Sequence, residues 1–314
     1  MEFFKKTPNI DFMGKRRIWF LISAVIVVAS LLSVAIRGLN WGIDFTGGTL
    51  LEVHYAEPVD LDSVRAALDA SSVGGATAQH FGSSRDVMIR LAPETGSTEE
   101  QASTKRAQQV MAALQAATPG AELRRTEFVG PQVGAELAEN GFLALLYTFG
   151  GILLYVALRF EWRLALGSIL ALLHDPILIV GVFSLTHLEF DLTVLAAILA
   201  VIGYSINDTV VVFDRIRENF RKMRKESPAE VINSSINQTL SRTLMTSVTT
   251  MIVLVAMYLL GGDMLGRFSL AIILGIVVGT YSSIYIASAL ALWMGVSRKD
   301  LMPVKKEDLL DQRP

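Results

Sequence analysis

Apolar residues gather into six long runs along the chain, each bounded by charge or by turn residues. Ile18 to Ile36 carries no charged residue and lies between Arg17 and Arg37. Asn140 to Leu158 is also uncharged and stops at Arg159. Leu164 to Leu188 holds one acid, Asp175, and Leu192 to Phe213 holds one, Asp208. Thr243 to Gly262 and Phe268 to Ser297 hold none. A helix needs ~20 mainly apolar residues to cross a hydrocarbon core. The pattern therefore predicts a polytopic α-helical membrane protein with six transmembrane helices. Residues 1–17 precede the first helix, 139–297 form a five-helix bundle with a polar loop at 214–242, and 298–314 form a tail.

Residues 37–138 have a different rhythm. Short β-rich runs appear at "TLLEVHY", "TAQHFG", "DVMIRLA" and "ELRRTEFVG". Helical patterns appear at "LDSVRAALDA" and "STEEQASTKRAQQVMAALQA". The order β-α-β-β-α-β predicts one α+β ferredoxin-like domain inserted after the first helix. Asp60 is placed to N-cap its first helix, and Ser97 or Thr98 its second. No defensible catalytic grouping occurs in it, so it reads as a folding or contact module.

Loop charge sets the orientation, because Lys and Arg concentrate on the cytoplasmic side. Lys5, Lys6, Lys15, Arg16 and Arg17 precede the first span; Arg159 and Arg163 flank "FEW". Arg215, Arg217, Arg221, Lys222, Arg224 and Lys225 follow the fourth, and Arg298, Lys299, Lys305 and Lys306 follow the sixth. By contrast "THLEFD" has two acids and no Lys or Arg. Both termini are expected in the cytoplasm and the inserted domain on the periplasmic side. The first run exceeds a signal-peptide core and has no cleavage-like site, so it reads as a retained anchor.

Composition narrows the function. Of 314 residues, 52% are hydrophobic and only 18% charged, with mean hydropathy +0.45. There is no cysteine, which excludes disulfides and thiolate chemistry. The four histidines have no metal-ligand spacing, and no nucleotide-binding glycine loop occurs. A net charge of −2 gives no case for nucleic acid. No metal or cofactor is expected, and the chain reads as something other than an enzyme.

Chemistry concentrates in "VIGYSINDTVVVFDRIRENF". Asp208 lies five residues before the end of its apolar run, roughly 7–8 Å inside the cytoplasmic end. It is too short to snorkel to water, and an intramembrane carboxylate points to function. Ser205 lies about one turn earlier on its face, and Asn207 adjoins it. The next helix opens on Ser227, Pro228 and Glu230, the pattern of a capping box. Ser235, Gln238, Arg242, Thr246 and Thr249 then form a polar stripe along it. Arg242 reaches the membrane at the depth of Asp208. Since arginine stays charged, Asp208 is the member that takes up and releases a proton. The alternative is a static ion pair that fixes how two helices meet. "HDP" around Asp175 reads as a polar kink, with a second proton site as its alternative. Gly275, Gly279, Ser283, Ala287, Ala291 and Gly295 recur every four residues, a face for close helix packing inside this chain or against another.

"GIDFTGGTLLEV" and "GYSINDTVVVFDRIRENFRK", with "QTLSRTLMTSVTT" and "GVSRKD", closely resemble the SecF family of bacterial protein-export membrane proteins, over nearly the whole chain. The resemblance implies half of a resistance-nodulation-division-like transporter in the inner membrane, with SecD as the other half. It implies use of the proton motive force to complete preprotein translocation through the SecYEG channel after the SecA step, with YajC and YidC as further partners. In that family an Asp and an Arg at the positions of Asp208 and Arg242 serve proton movement. Gly47 and Gly48 then read as a hinge into the inserted domain. A proton-coupled small-molecule exporter and a non-transporting assembly protein are the competing classes.

Overall fold

A computed structural model describes residues 7–301, except 72, 74, 82 and 94–99. Lys5, Lys6, Ser97, Thr98, Lys305 and Lys306 lie outside the described residues.

Helix α1 (Arg16–Arg37) leads to a two-residue strand β1 (Asn40–Trp41) and a short helix α2 (Ile43–Thr46). The inserted domain follows as β2 (Gly48–Tyr55), α3 (Leu61–Ala70), β3 (Ala76–Phe81), β4 (Ser83–Leu91), α4 (Glu100–Ala117) and β5 (Ala121–Val129). Its sheet is antiparallel with order β3-β4-β2-β5. That order and the β-α-β-β-α-β succession are compatible with a ferredoxin-like sandwich. Strand β2 alternates between its faces, and Leu51, Val53 and Tyr55 pack under α3 and α4 with Val64, Leu68, Val110 and Leu114. Asp60 stands at the N-cap of α3, but its side chain makes no cap; its carbonyl instead accepts from Ser63 Oγ at 2.6 Å.

The remaining spans are α5 (Pro131–Arg159), α6 (Trp162–Thr186), α7 (Leu192–Lys222), α8 (Pro228–Leu260) and a last span built from α9 (Gly262–Ser282), a π-helical turn (Ser283–Ala287) and α10 (Ser288–Trp293). A four-residue α11 (Arg298–Leu301) follows. Among the described residues, six helices are long and apolar enough to cross a membrane. Several outrun their apolar runs: α5 starts at Pro131, α7 continues to Lys222, and α8 begins at Pro228. The capping box on Ser227 is formed, with Ser227 N donating to Glu230 Oε2 at 2.7 Å.

Strand β6 (Glu189–Phe190) pairs in parallel with β1 and ties the α6–α7 connection to the root of the inserted domain. Asp191 caps α7 by accepting from Val194 N at 2.9 Å, and Asp44 of α2 accepts from Leu192 N at 3.0 Å. Arg267 bridges Asp191 at 3.0 Å and Glu189 at 3.5 Å. Arg90 of β4 donates to Trp41 O and Thr46 Oγ1. The root of the domain is therefore bound to the end of the helix that carries Asp208.

Lipid tails give helices no hydrophobic reason to associate, so small side chains and hydrogen bonds hold the bundle. Helix α1 lies on α6 through Ser23, Ser30 and Ser33, all buried. Ser33 Oγ meets Ser184 Oγ at 2.9 Å, and a Cβ on Gly181 would lie 2.2 Å from Ser30 Oγ. On α9, a Cβ on Gly275 would lie 2.1 Å from a Val201 methyl, and one on Gly279 would lie 3.1 Å from Ser205 Cβ. The small-residue face thus meets α7 inside this chain. It does not run straight. From the end of the π turn onward, the backbone at Ala287 and Ala291 faces Gly167 of α6 instead, because the wider turn rotates the register. Gly295 lies beyond α10, at φ 75°.

Candidate functional site

Asp208 sits on the buried face of α7, enclosed by α8 and the last span. Thr243 Oγ1 donates to its Oδ1 at 2.5 Å, and Ser283 Oγ donates to its Oδ2 at 2.8 Å. Ser283 opens the π turn, and its carbonyl accepts from Ser288 Oγ at 2.9 Å. Such turns are frequent at functional sites, where they re-aim one side chain within a continuous helix.

Arg242 is not bonded to Asp208. It is exposed, and among the described residues it makes no ion pair. Successive residues on a helix point about 100° apart, so Thr243 faces Asp208 while Arg242 looks away from the bundle. Its charge is still near enough to act on the Asp208 carboxyl.

The other expected site residues divide in the same way. Gln238, Thr246 and Thr249 are exposed beside Arg242, on the open face of α8. Thr246 donates to carbonyls of its own helix, and Gln238 Oε1 accepts from Asn219 at 3.0 Å. Asn207 is exposed. Ser205 is buried and donates to Asp175 at 2.5 Å rather than to Asp208. The inward stripe of α8 is Ser235, Thr239, Thr243 and Ser247, of which the sequence reading named Ser235 alone. Ser247 meets Tyr204 at 3.3 Å and Thr280 at 3.2 Å. Its signal was present: hydroxyls at every fourth position, one residue out of phase with Arg242.

Asp175 is fully buried and holds more bonds than Asp208. Its Oδ1 meets His174 Nδ1 at 2.9 Å, and its Oδ2 accepts from Ser205 and, at 2.9 Å, from Ser282. His174 Nε2 meets Ser23 Oγ of α1 at 2.5 Å. Four helices converge on this one pair.

Gly47 and Gly48 take φ 68° and 123°, where L side chains rarely go. They are tightly packed: a Cβ on Gly48 would lie 2.5 Å from Leu91 O, and one on Gly47 3.0 Å from Pro131 Cα. Among the described residues no cluster of His, Asp and Glu is arranged to hold a metal ion.

Six membrane-capable helices, ionisable groups buried between them and one α+β domain on a short root define a polytopic membrane protein of the transport type. Residues 109–297 match the family described as protein export membrane protein SecD/SecF, C-terminal, and residues 32–59 match the SecD/SecF GG motif, which spans Gly47 and Gly48. The chain is 51% identical over 98% of its length to protein translocase subunit SecF of Vibrio alginolyticus, covering 96% of it. It is 47% identical over 98% of its length to that of Pseudomonas aeruginosa, covering 99% of it. It resembles the crystal structure of SecDF, a translocon-associated membrane protein from Thermus thermophilus, with TM-score 0.82 and 39% identity over 92% of this chain. The solved SecDF chain is longer, and this chain spans 39% of it. The chain belongs to the SecF family of protein translocase subunits.

Proposed function

We propose that this chain is the SecF half of a proton-driven export complex in the bacterial inner membrane, with a SecD half as its partner. The pair draws on the proton motive force to complete preprotein translocation through SecYEG after the ATP-dependent SecA step, in an assembly that also receives YajC and YidC. Both termini lie in the cytoplasm and the inserted domain, residues 37–138, in the periplasm. The alternation of basic and non-basic loops supports that orientation.

The observation that carries the reading is Asp208. It is the one acid in the apolar run of α7, Leu192 to Phe213, buried where α7, α8 and the π turn meet, and both its oxygens are held by hydroxyl donors. Hydroxyls serve either protonation state, because they donate to a carboxylate and accept from a carboxylic acid. A proton arriving at Asp208 removes a charge next to a helix whose open face carries Arg242. The balance between two packings of α7, α8 and the last span then shifts. The drive is ~2.3 kcal/mol per charge for each 100 mV. Through α7 and its cap at Asp191, that shift reaches the root of the inserted domain.

The test is preprotein translocation into membrane vesicles, with and without an imposed proton gradient. Asp208→Asn keeps the shape and most bonds but cannot exchange a proton. It should insert and assemble, export with ATP alone, and lose the response to the gradient. Arg242→Met should lose the same step. Normal gradient-stimulated export by Asp208→Asn would make Asp208 a packing residue. Gradient-driven efflux of a small molecule without preprotein export would favour the exporter class, and neither activity the assembly class.

A further inference from the structure

We infer that His174 and Asp175 form a second proton-binding site, distinct from Asp208, with its proton exchanged at His174 Nε2 on the α1 side. This deepens the proton-coupled reading above and rests on it.

The geometry separates the two ends of the pair. Ser205 and Ser282 both donate to Asp175 Oδ2, and among the described residues Oδ1 bonds to His174 Nδ1 alone, at 2.9 Å. One proton is therefore fixed on the line between Oδ1 and Nδ1. The labile position is Nε2, held 2.5 Å from Ser23 Oγ. When Nε2 carries a proton it donates to Ser23, and imidazolium and carboxylate are neutral together. When it does not, Ser23 rotates its hydroxyl and donates to Nε2, and the pair carries one negative charge. The proton is taken up at Nε2 from the Ser23 side and returned there; no bond between heavy atoms changes.

The surroundings suit this role. Helix α1 contributes Ser23, and the Trp19 carbonyl accepts from Tyr281 at 2.6 Å. Helix α7 contributes Ser205. Helix α9 contributes Ser282, the bare backbone of Gly279 and Tyr281, whose ring stacks on His174 with centroids 6.2 Å apart. Tyr281 is the titratable neighbour, and no Lys or Arg among the described residues bonds to the pair. His174 is thus its own counter-charge, which distinguishes it from an ion pair locked by a permanent cation. A network needed only for packing has no use for a titrating ring; an amide makes the same bonds without the penalty of ionisable groups in a membrane. Ser282 adjoins Ser283, the donor to Asp208, so the two sites meet at consecutive residues of one span.

The test is nitrogen NMR of the full chain in lipid nanodiscs, with 15N-labelled histidine and His174→Gln to assign the signal. Acidifying the bath should convert the His174 ring from a neutral to a doubly protonated pattern. Asp175→Asn should abolish that conversion, and Ser23→Ala, which leaves the pair intact, should move the pH at which it occurs. A single unchanging His174 pattern at every pH overturns the inference, as does a conversion indifferent to both variants. The proton reading of Asp208 fails separately, in the export assay: Asp208→Asn should keep the His174 conversion whatever its export shows.

Discussion

The six spans fall into two sets. In α6, α7 and the last span, 56%, 44% and 50% of the most apolar stretch is buried within the chain. In α1, α5 and α8 the figures are 17%, 11% and 17%. The buried set carries every intramembrane acid, Asp175 and Asp208, together with His174. The open set contributes hydroxyls inward, from Ser23 and Thr243, and apolar side chains outward, such as Phe142 and Leu154 on α5 and Ile252 and Leu259 on α8. Ionisable groups sit where lipid cannot reach, which is the arrangement their desolvation requires. Arg242 is the exception. It stands on the open face of α8, beside Gln238 and Thr246, where a lipid environment would be costly and a partner surface would not.

The strongest way to break this division is to crowd the buried set. Gly275→Leu places a side chain where even a Cβ would lie 2.1 Å from Val201. Overpacking of this kind costs ~1–3 kcal/mol and occasionally more. With the stiff β-branched side chain of Val201 in the way, we expect the upper end, seen as loss of monodisperse protein in detergent and a lower thermal midpoint. Val253→Leu on the open face of α8 should change the midpoint by no more than ~0.5 kcal/mol equivalent. Equal losses from both variants would erase the distinction.

A smaller effect is expected where the sets meet. Thr243→Val keeps the shape of the side chain but removes the donor at 2.5 Å from Asp208 Oδ1. Leaving a buried acceptor short of one partner costs ~1–3 kcal/mol. Gradient-stimulated export should fall while ATP-driven export persists. Thr246→Val, one turn on and exposed, should leave both unchanged.

The sequence made the spans legible because their length and lack of charge are one-dimensional properties. The β-α-β-β-α-β order was legible for the same reason, and so was the capping box at Ser227. The site was half legible. Asp208 stood out as a charge in an apolar run, but its partners did not. Thr243 and Ser247 are unremarkable letters in "TLMTSVTT", and the phase that separates them from Arg242 is one residue. Asp175 read as a kink beside Pro176. Its bonds come from Ser205, Ser282 and, through His174, Ser23, at separations of 30, 107 and 151 residues. The π turn at Ser283 left no local signal, so the small-residue stripe read as one straight face.

The root of the inserted domain gives a pH test. Burial pushes the Glu189 carboxyl up, and the nearby Asp191 adds to this against the opposing charge of Arg267. A carboxyl raised in the folded chain binds its proton more tightly folded than unfolded. Its contribution to stability is full below the ordinary carboxylate range and is lost as pH rises through the raised value. Glu189→Gln should therefore flatten the decline of the thermal midpoint between acid and neutral pH, with its main gain at neutral pH. A steeper decline would reverse the assignment.

The smallest effect concerns how an open helix is held. The apolar stretch of α8 is open, but its first turns are buried through Val231, Ile232 and Ile236, and polar fastenings add to them. Asn233 Oδ1 accepts from Phe12 N and Met13 N at 2.8 and 3.1 Å, and Asn237 Oδ1 accepts from Ile10 N at 2.9 Å. The capping box at Ser227 closes the first turn below them. Ser227→Ala removes one cap, worth ~1 kcal/mol. That loss is confined to the first turn, because Val231, Ile232 and Ile236 in the turns that follow are buried. It should appear as faster amide exchange over residues 228–233 with the global midpoint nearly unchanged. A drop in the midpoint equal to that of Thr243→Val would show that the first turn of α8 is coupled to the whole fold.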